Sequence, residues 1–281
     1  MSRSHEPALR QGAGPVANPS WTWPVVTAIS LAAAIAVSFI GSGALGGTPV
    51  QQVAGGYLSA DATLLAPAGP AFSIWSVIYT GLAVYGIFQL TPSGRRSAWA
   101  ATLRGPAMVS ALLNAAWISV VQVGWLGFSV AIIFTLVAVL AWMMAIMLAG
   151  TPSSRREYWI MWLTFGLYLG WVAVASIANT AAWLLSLGVG SDAAWAPGLA
   201  VALLVVAALI ALAISVYARN VFAPAAICWG LTWIGVGRLN GANESSLVGF
   251  AALGCAAAVL VGAGAIAWHG KSGGNGGPRW A

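Results

Sequence analysis

The sequence predicts an all-α protein, a polytopic membrane bundle of about eight transmembrane helices. Three observations carry this. First, 60% of the 281 residues are apolar and only 6% are charged, with a mean hydropathy of +0.89. A water-soluble domain is roughly 25% charged. So few charges cannot clothe a water-facing surface of this size, which excludes an ordinary soluble enzyme, a disordered chain and a nucleic-acid binder. Second, the chain holds eight apolar stretches near the ~20 residues that a spanning helix needs. Third, the basic residues fall on one side of the map that those stretches define.

The elements follow in order. Residues 1–20 are polar, contain three prolines and read as a flexible N-terminal tail. Trp23–Ile40 is the first span. It reads as a retained helix rather than a signal peptide cut near Ser42–Ala44, because the segment before it is too long for an n-region. Gly41–Pro70 is the longest internal loop and mixes glycine with Thr48, Gln51, Gln52, Tyr57 and Asp61. A loop of ~30 residues in an economical chain reads either as a lid or as a plain connection. Ala71–Leu90, Pro106–Val123, Leu126–Gly150 and Tyr158–Leu187 complete a five-helix core over residues 21–190, with the candidate lid at 41–70. Ala196–Ala218, Val221–Gly237 and Ser246–Trp268 form three additional spans over residues 191–268. Residues 269–281 are glycine-rich and read as a second flexible tail.

Charge supports this count. Arg3, Arg10, Arg95, Arg96, Arg104, Arg155, Arg156, Arg219, Lys271 and Arg279 fall in the tails and alternate loops on one side, and only Arg238 falls on the other. The positive-inside rule then places both termini in the cytoplasm and the long loop outside. A seven- or nine-helix count would scramble the asymmetry. The net charge of +6 therefore reports orientation rather than an acidic partner. Ten arginines against one lysine, with abundant alanine, fit a GC-rich bacterial genome and hence a bacterial cytoplasmic membrane.

Intramembrane ionisable residues mark ion or proton pathways. No Asp or Glu falls within the predicted spans. Arg238 sits at the outer end of the seventh, where it is expected to snorkel. The histidines, His5 and His269, lie in the tails, and Cys228 and Cys255 form no metal pattern. No catalytic constellation and no metal site emerges, and no cofactor is obligatory. What remains is aromatic and amide. At about 100° per residue, Phe72, Trp75 and Tyr79 share one face of the second span. Asn114 and Trp117 share a face of the third. Tyr168, Trp171, Ala175 and Asn179 share a face of the fifth, with Gly166 and Gly170 on its other side for close helix packing. Rigid indoles suit a flat apolar ligand, and buried amides can fix its polar edge. The same residues also suit simple helix packing. One internal echo links Thr91-Pro92-Ser93-Gly94-Arg95-Arg96 with Thr151-Pro152-Ser153-Ser154-Arg155-Arg156. It reads either as a duplicated pair of helices or, more economically, as shared loop chemistry in which proline stops a helix and arginine fixes the inner side.

The run Pro67-Ala68-Gly69-Pro70-Ala71-Phe72-Ser73-Ile74-Trp75, with Tyr79 after it, resembles the first loop and second helix of the TspO/MBR family, the tryptophan-rich sensory proteins. Asn114-x-x-Trp117 resembles that family's third-helix motif. Tyr168-x-x-Trp171, then Ala175 and Asn179, resembles its fifth. The motifs occur in the family's order and cover about residues 20–190. Pro67-Ala68-Gly69-Pro70 lacks the tryptophans that flank the family's proline pair, the Phe72-to-Trp75 spacing is one residue short, and Leu167 replaces a proline common before the tyrosine.

The resemblance implies a five-helix bundle, often dimeric, which allows a homodimer here. It implies a pocket under the first loop for a porphyrin, another haem-type tetrapyrrole or a sterol-like lipid. The implied ligand-binding residues are Phe72, Trp75, Tyr79, Asn114, Trp117, Tyr168, Trp171 and Asn179. The leading expectation is a membrane receptor or sensor, whose partners are the bilayer and a small hydrophobic ligand, with no nucleic acid. The alternatives are a facilitator or transporter of small amphipathic molecules and an enzyme that degrades porphyrin in light.

Overall fold

The computed structural model describes residues 20–43, 46–190 and 192–272, with side chains through His269. The expected N-terminal tail, save Ser20, and residues 273–281 of the expected C-terminal tail lie outside the described residues. Among those residues there are ten helices and no strand. Eight helices are long and apolar enough to cross a membrane. In chain order the helices are α1 (Thr22–Gly41), α2 (Ile74–Leu90), α3 (Pro92–Arg96), α4 (Ala98–Thr102), α5 (Arg104–Gln122), α6 (Leu126–Ala149), α7 (Arg155–Ser186), α8 (Ala196–Ala218), α9 (Phe222–Asn240) and α10 (Ser246–Ser272). The spans match the apolar stretches to within a few residues. Two 3₁₀ turns, Ala54–Gly56 and Gly69–Ser73, lie in and at the end of the long loop.

Three local readings change. The start of the second span is a 3₁₀ turn, Gly69–Ser73, with Pro70 in its first turn, where its missing N–H leaves no bond unmade. The link after Thr91 folds into α3 and α4, each five residues long and too short for a hydropathy reading. Their N-caps are Thr91 Oγ1, accepting from Gly94 N–H at 3.1 Å, and Ser97 Oγ, accepting from Ala100 N–H at 2.9 Å. At the far end, α10 continues through residues 269–272, so the helix consumes the beginning of the expected tail.

The bundle has two apolar cores that share α7. One lies among α1, α2, α5, α6 and α7, and the other among α7, α8, α9 and α10. Two thirds of α7's spanning stretch is buried, 67% against 22% for α10. Its glycines explain the join. A Cβ on Gly166 would lie 2.8 Å from Phe222 Cβ, and one on Gly170 would lie 2.2 Å from Ala223 O. Glycine therefore lets α9 ride directly on the α7 backbone. The last three helices pack on the first five through this seam.

Two charged side chains lie buried among the described residues. Glu157, which lies just before the predicted fifth span, is buried in the first turn of α7 with 1% exposure. Its carboxylate accepts from Ser97 Oγ–H and, at 2.6 Å, from Ser153 N–H. Ser154 caps the same turn by accepting Glu157 N–H at 3.2 Å. The Ser97–Glu157 bond ties together the two loops of the sequence echo. Arg238 does not snorkel. It is fully buried, because the long loop folds over the end of α9 and supplies carbonyls where bilayer headgroups would otherwise lie.

Candidate ligand chamber under the long loop

The long loop crosses the end of the bundle opposite the arginine-rich loops. Its return to α2 runs through Pro67-Ala68-Gly69-Pro70, and the 3₁₀ turn then presents Phe72 one turn before Trp75. Helical spacing carries Tyr79 onto the same side. Trp75 is the centre of the group. Its ring stacks on Tyr79 at 5.2 Å and 21°. It meets Tyr168 edge-on at 5.8 Å and Trp171 edge-on at 6.4 Å. Phe72 meets the edge of Trp171 at 5.7 Å. These offset and T-shaped pairs suit the ring quadrupoles.

Amides bridge the helices behind the rings. Asn114 Nδ2 donates to Tyr79 Oη at 3.1 Å and to Ser38 Oγ at 3.2 Å, joining α5 to α2 and α1. Trp117 Nε1 donates to Asn179 Oδ1 at 3.3 Å, and Asn179 Nδ2 donates to Ser129 Oγ at 3.0 Å, joining α5, α7 and α6. All three of Asn114, Trp117 and Asn179 are buried. Buried amides must be bonded to be tolerated, and these bonds also hold the aromatic walls in register.

Two cavities result. A cleft of about 50 Å³ lies between the loop and α5, α6 and α7, with Asn114, Trp117, Trp171 and Asn179 in its walls. A lid chamber of about 310 Å³ lies between α1, α2, α5 and the first half of the loop, with Phe39, Gln51 and Tyr79 in its walls. Val50, Phe72, Trp75 and Trp117 line both. They form a partition with one cavity on each side.

Seven of the eight residues named from the sequence thus line one or both cavities. Tyr168 lines neither. It is fully buried behind Trp75, and its hydroxyl donates to Ser110 O at 3.1 Å. Its place is to brace the indole. The motifs did not name Phe39, Val50, Gln51 or Tyr57, which the loop and the end of α1 bring to the same walls. Phe39 meets Tyr79 at 5.6 Å. Only the length of the loop hinted at them, since no spacing rule connects α1 to α2 across it.

Two cleft-lining residues carry a buried polar atom with no hydrogen-bond partner, Thr63 Oγ1 and Trp171 Nε1. An unmet buried donor costs about 1–3 kcal/mol. Both hydrogen bonds of Asn114 are made by its Nδ2. Among the described residues, no cluster of three His, Cys, Asp or Glu side chains is placed to hold a metal ion.

A protein-family model described as TSPO-like protein matches residues 24–265. The motif resemblance reaches only about residue 190, whereas this match runs on through α8, α9 and most of α10. No curated protein and no solved structure matches the chain.

Proposed function

The chain belongs to the TSPO-like protein family, and from that premise we propose that this integral membrane protein is a receptor that takes a flat hydrophobic ligand of the tetrapyrrole class beneath its long loop. The observation that carries the reading is the aromatic partition. Phe72, Trp75 and Trp117 line both cavities, so a flat ligand that displaces the loop meets ring surface on a wall already braced by Tyr79, Tyr168 and Trp171. Rigid indoles supply contact area at little entropic cost. The unmet Trp171 N–H and the Asn114 amide can hold polar groups on the ligand's edge.

Size sharpens the proposal. Pockets for small molecules run about 300–1,000 Å³. The lid chamber, at about 310 Å³, stands at the low end of that range. A macrocycle therefore requires the loop and the partition to move so that chamber and cleft merge. In this reading the arginine-rich end faces the cytoplasm and the loop lies outside, following the charge asymmetry.

The test is a titration of the solubilised protein with protoporphyrin in the dark, following tryptophan fluorescence with inner-filter correction. The expected result is saturable one-site binding with the porphyrin recovered intact. Non-saturating quenching overturns the reading. Porphyrin loss confined to light and oxygen would move the protein to the photodegrading class, and flux across proteoliposomes would move it to the transporter class.

A further inference from the structure

Among the described residues, the second half of the loop is tied by a series of hydrogen bonds to α9 and the turn that follows it. Arg238 Nη1 donates to Thr63 O at 2.8 Å, and its Nη2 donates to Ala60 O at 2.5 Å. Asp61 Oδ1 accepts Ala242 N–H at 3.0 Å. Ala68 N–H donates to Trp233 O at 3.0 Å, and Trp229 Nε1 donates to Ala71 O at 2.9 Å. The other half, residues 46–58, is held differently. Its backbone bonds are local turns, such as Gln52 N–H to Pro49 O at 2.8 Å and Gly56 N–H to Val53 O at 3.0 Å. Its long-range polar tie is Gln122 Nε2 to Thr48 O at 3.0 Å, and otherwise it rests on apolar contact, with Val53 buried in the first core and Val50 and Leu58 packed against it. Gly46, Ala54, Gly55 and Gly56 all have positive φ. Both halves contribute to the cavity walls, Val50 and Tyr57 from the loose half and Thr63 and Pro67 from the tied half.

We propose that Arg238 is a positioning residue that latches the second half of the loop to α9 as a fixed wall, so that residues 46–58 alone form the flap through which the ligand reaches the chamber. A buried guanidinium is tolerated only when it is bonded; here both Nη atoms are bonded to loop carbonyls, while Nε is buried without a partner. Arginine's planar fork meets two carbonyls at once, which a lysine point charge does not do in the same way. The flap's role in ligand access rests on the proposed function. The latch itself does not.

Two measurements decide it. The first is amide hydrogen exchange on the full chain without ligand. Amides of residues 60–66 exchange about tenfold slower than those of 46–58 in the wild type. Arg238→Met removes that difference, Arg238→Lys restores part of it, and residues 68–71 and α5 stay protected throughout. Equal exchange in both halves of the wild type, or no change on Arg238→Met, overturns the latch. The second measures protoporphyrin association in two cross-linked variants made in a Cys228→Ser, Cys255→Ser background. A Cβ on Gly237 would lie 3.6 Å from Ala68 Cβ, inside the ~3.5–4.5 Å range for a disulfide. Ala68→Cys with Gly237→Cys therefore staples the tied half, and association stays within about twofold of the reduced form. Thr48→Cys with Gln122→Cys, bridged by a short bis-maleimide, restrains the flap and slows association by about tenfold or more. A block by the first staple, or free association through the second, overturns the flap. If no form binds protoporphyrin, the proposed function fails while the exchange data still judge the latch.

Discussion

The substitution Gly170→Leu pushes α9 off α7 and lowers the thermal midpoint of the solubilised protein by roughly 10 °C. The reason is backbone contact. Even a methyl group at this position would lie 2.2 Å from Ala223 O, 2.9 Å from Ala223 C and 2.9 Å from Ala226 Cβ. A side chain can rotate away from an intruder, but a helix carbonyl cannot. Overpacking a fitted interior costs about 1–3 kcal/mol, and a helix forced aside costs more. The damage extends beyond the seam, because α9 also carries Trp229, Trp233 and Arg238, which hold residues 60–71. Gly264→Leu is the control. Nothing lies within 4 Å of a Cβ there, so its midpoint stays close to wild type. Equal midpoints for the two variants would contradict the packing account.

The second large effect is on binding. Trp75→Phe, Trp117→Phe and Trp171→Phe combined weaken protoporphyrin affinity by roughly 100-fold while the bundle stays folded. Phenylalanine keeps most of the apolar packing but removes the wider ring on both sides of the partition. Aromatic pairs contribute about 0.5–1.5 kcal/mol each beyond buried area, and each 1.4 kcal/mol is about tenfold in affinity. Trp117→Phe also deletes the Nε1 bond to Asn179, so the wall itself loosens. Trp142→Phe is the matched control, since Trp142 is 57% exposed on the outer surface of α6. Unchanged affinity in a folded triple variant would remove the partition from the site.

The spans were legible because each requirement is local. About 20 apolar residues must be consecutive, and no tertiary contact can hide that. The aromatic faces were legible for the same reason: Phe72, Trp75 and Tyr79 are one helix's own geometry. Illegible were the contacts that close over long separations. Arg238 reaches carbonyls at Ala60 and Thr63, and no spacing rule says whether a lone arginine near a helix end meets headgroups or loop backbone. Tyr168 carries the same motif status as Trp171, yet the rotation of α7 sets it behind Trp75. Nothing local marks Glu157, one residue before the predicted span, as buried. It is buried because two distant loops fold together around it.

The most direct test of the account uses the ligand as its own reporter. Protoporphyrin bound to the protein is illuminated briefly in oxygen, and the oxidised tryptophans are mapped by mass spectrometry. Trp75 and Trp117 line both cavities, whereas Trp142 and Trp268 are 57% and 74% exposed on the outer surface. A ligand beneath the loop oxidises Trp75 and Trp117 first and spares the outer pair. Oxidation that follows exposure, with Trp142 and Trp268 ahead of Trp75 and Trp117, would place the porphyrin on the membrane face and contradict the chamber as its site.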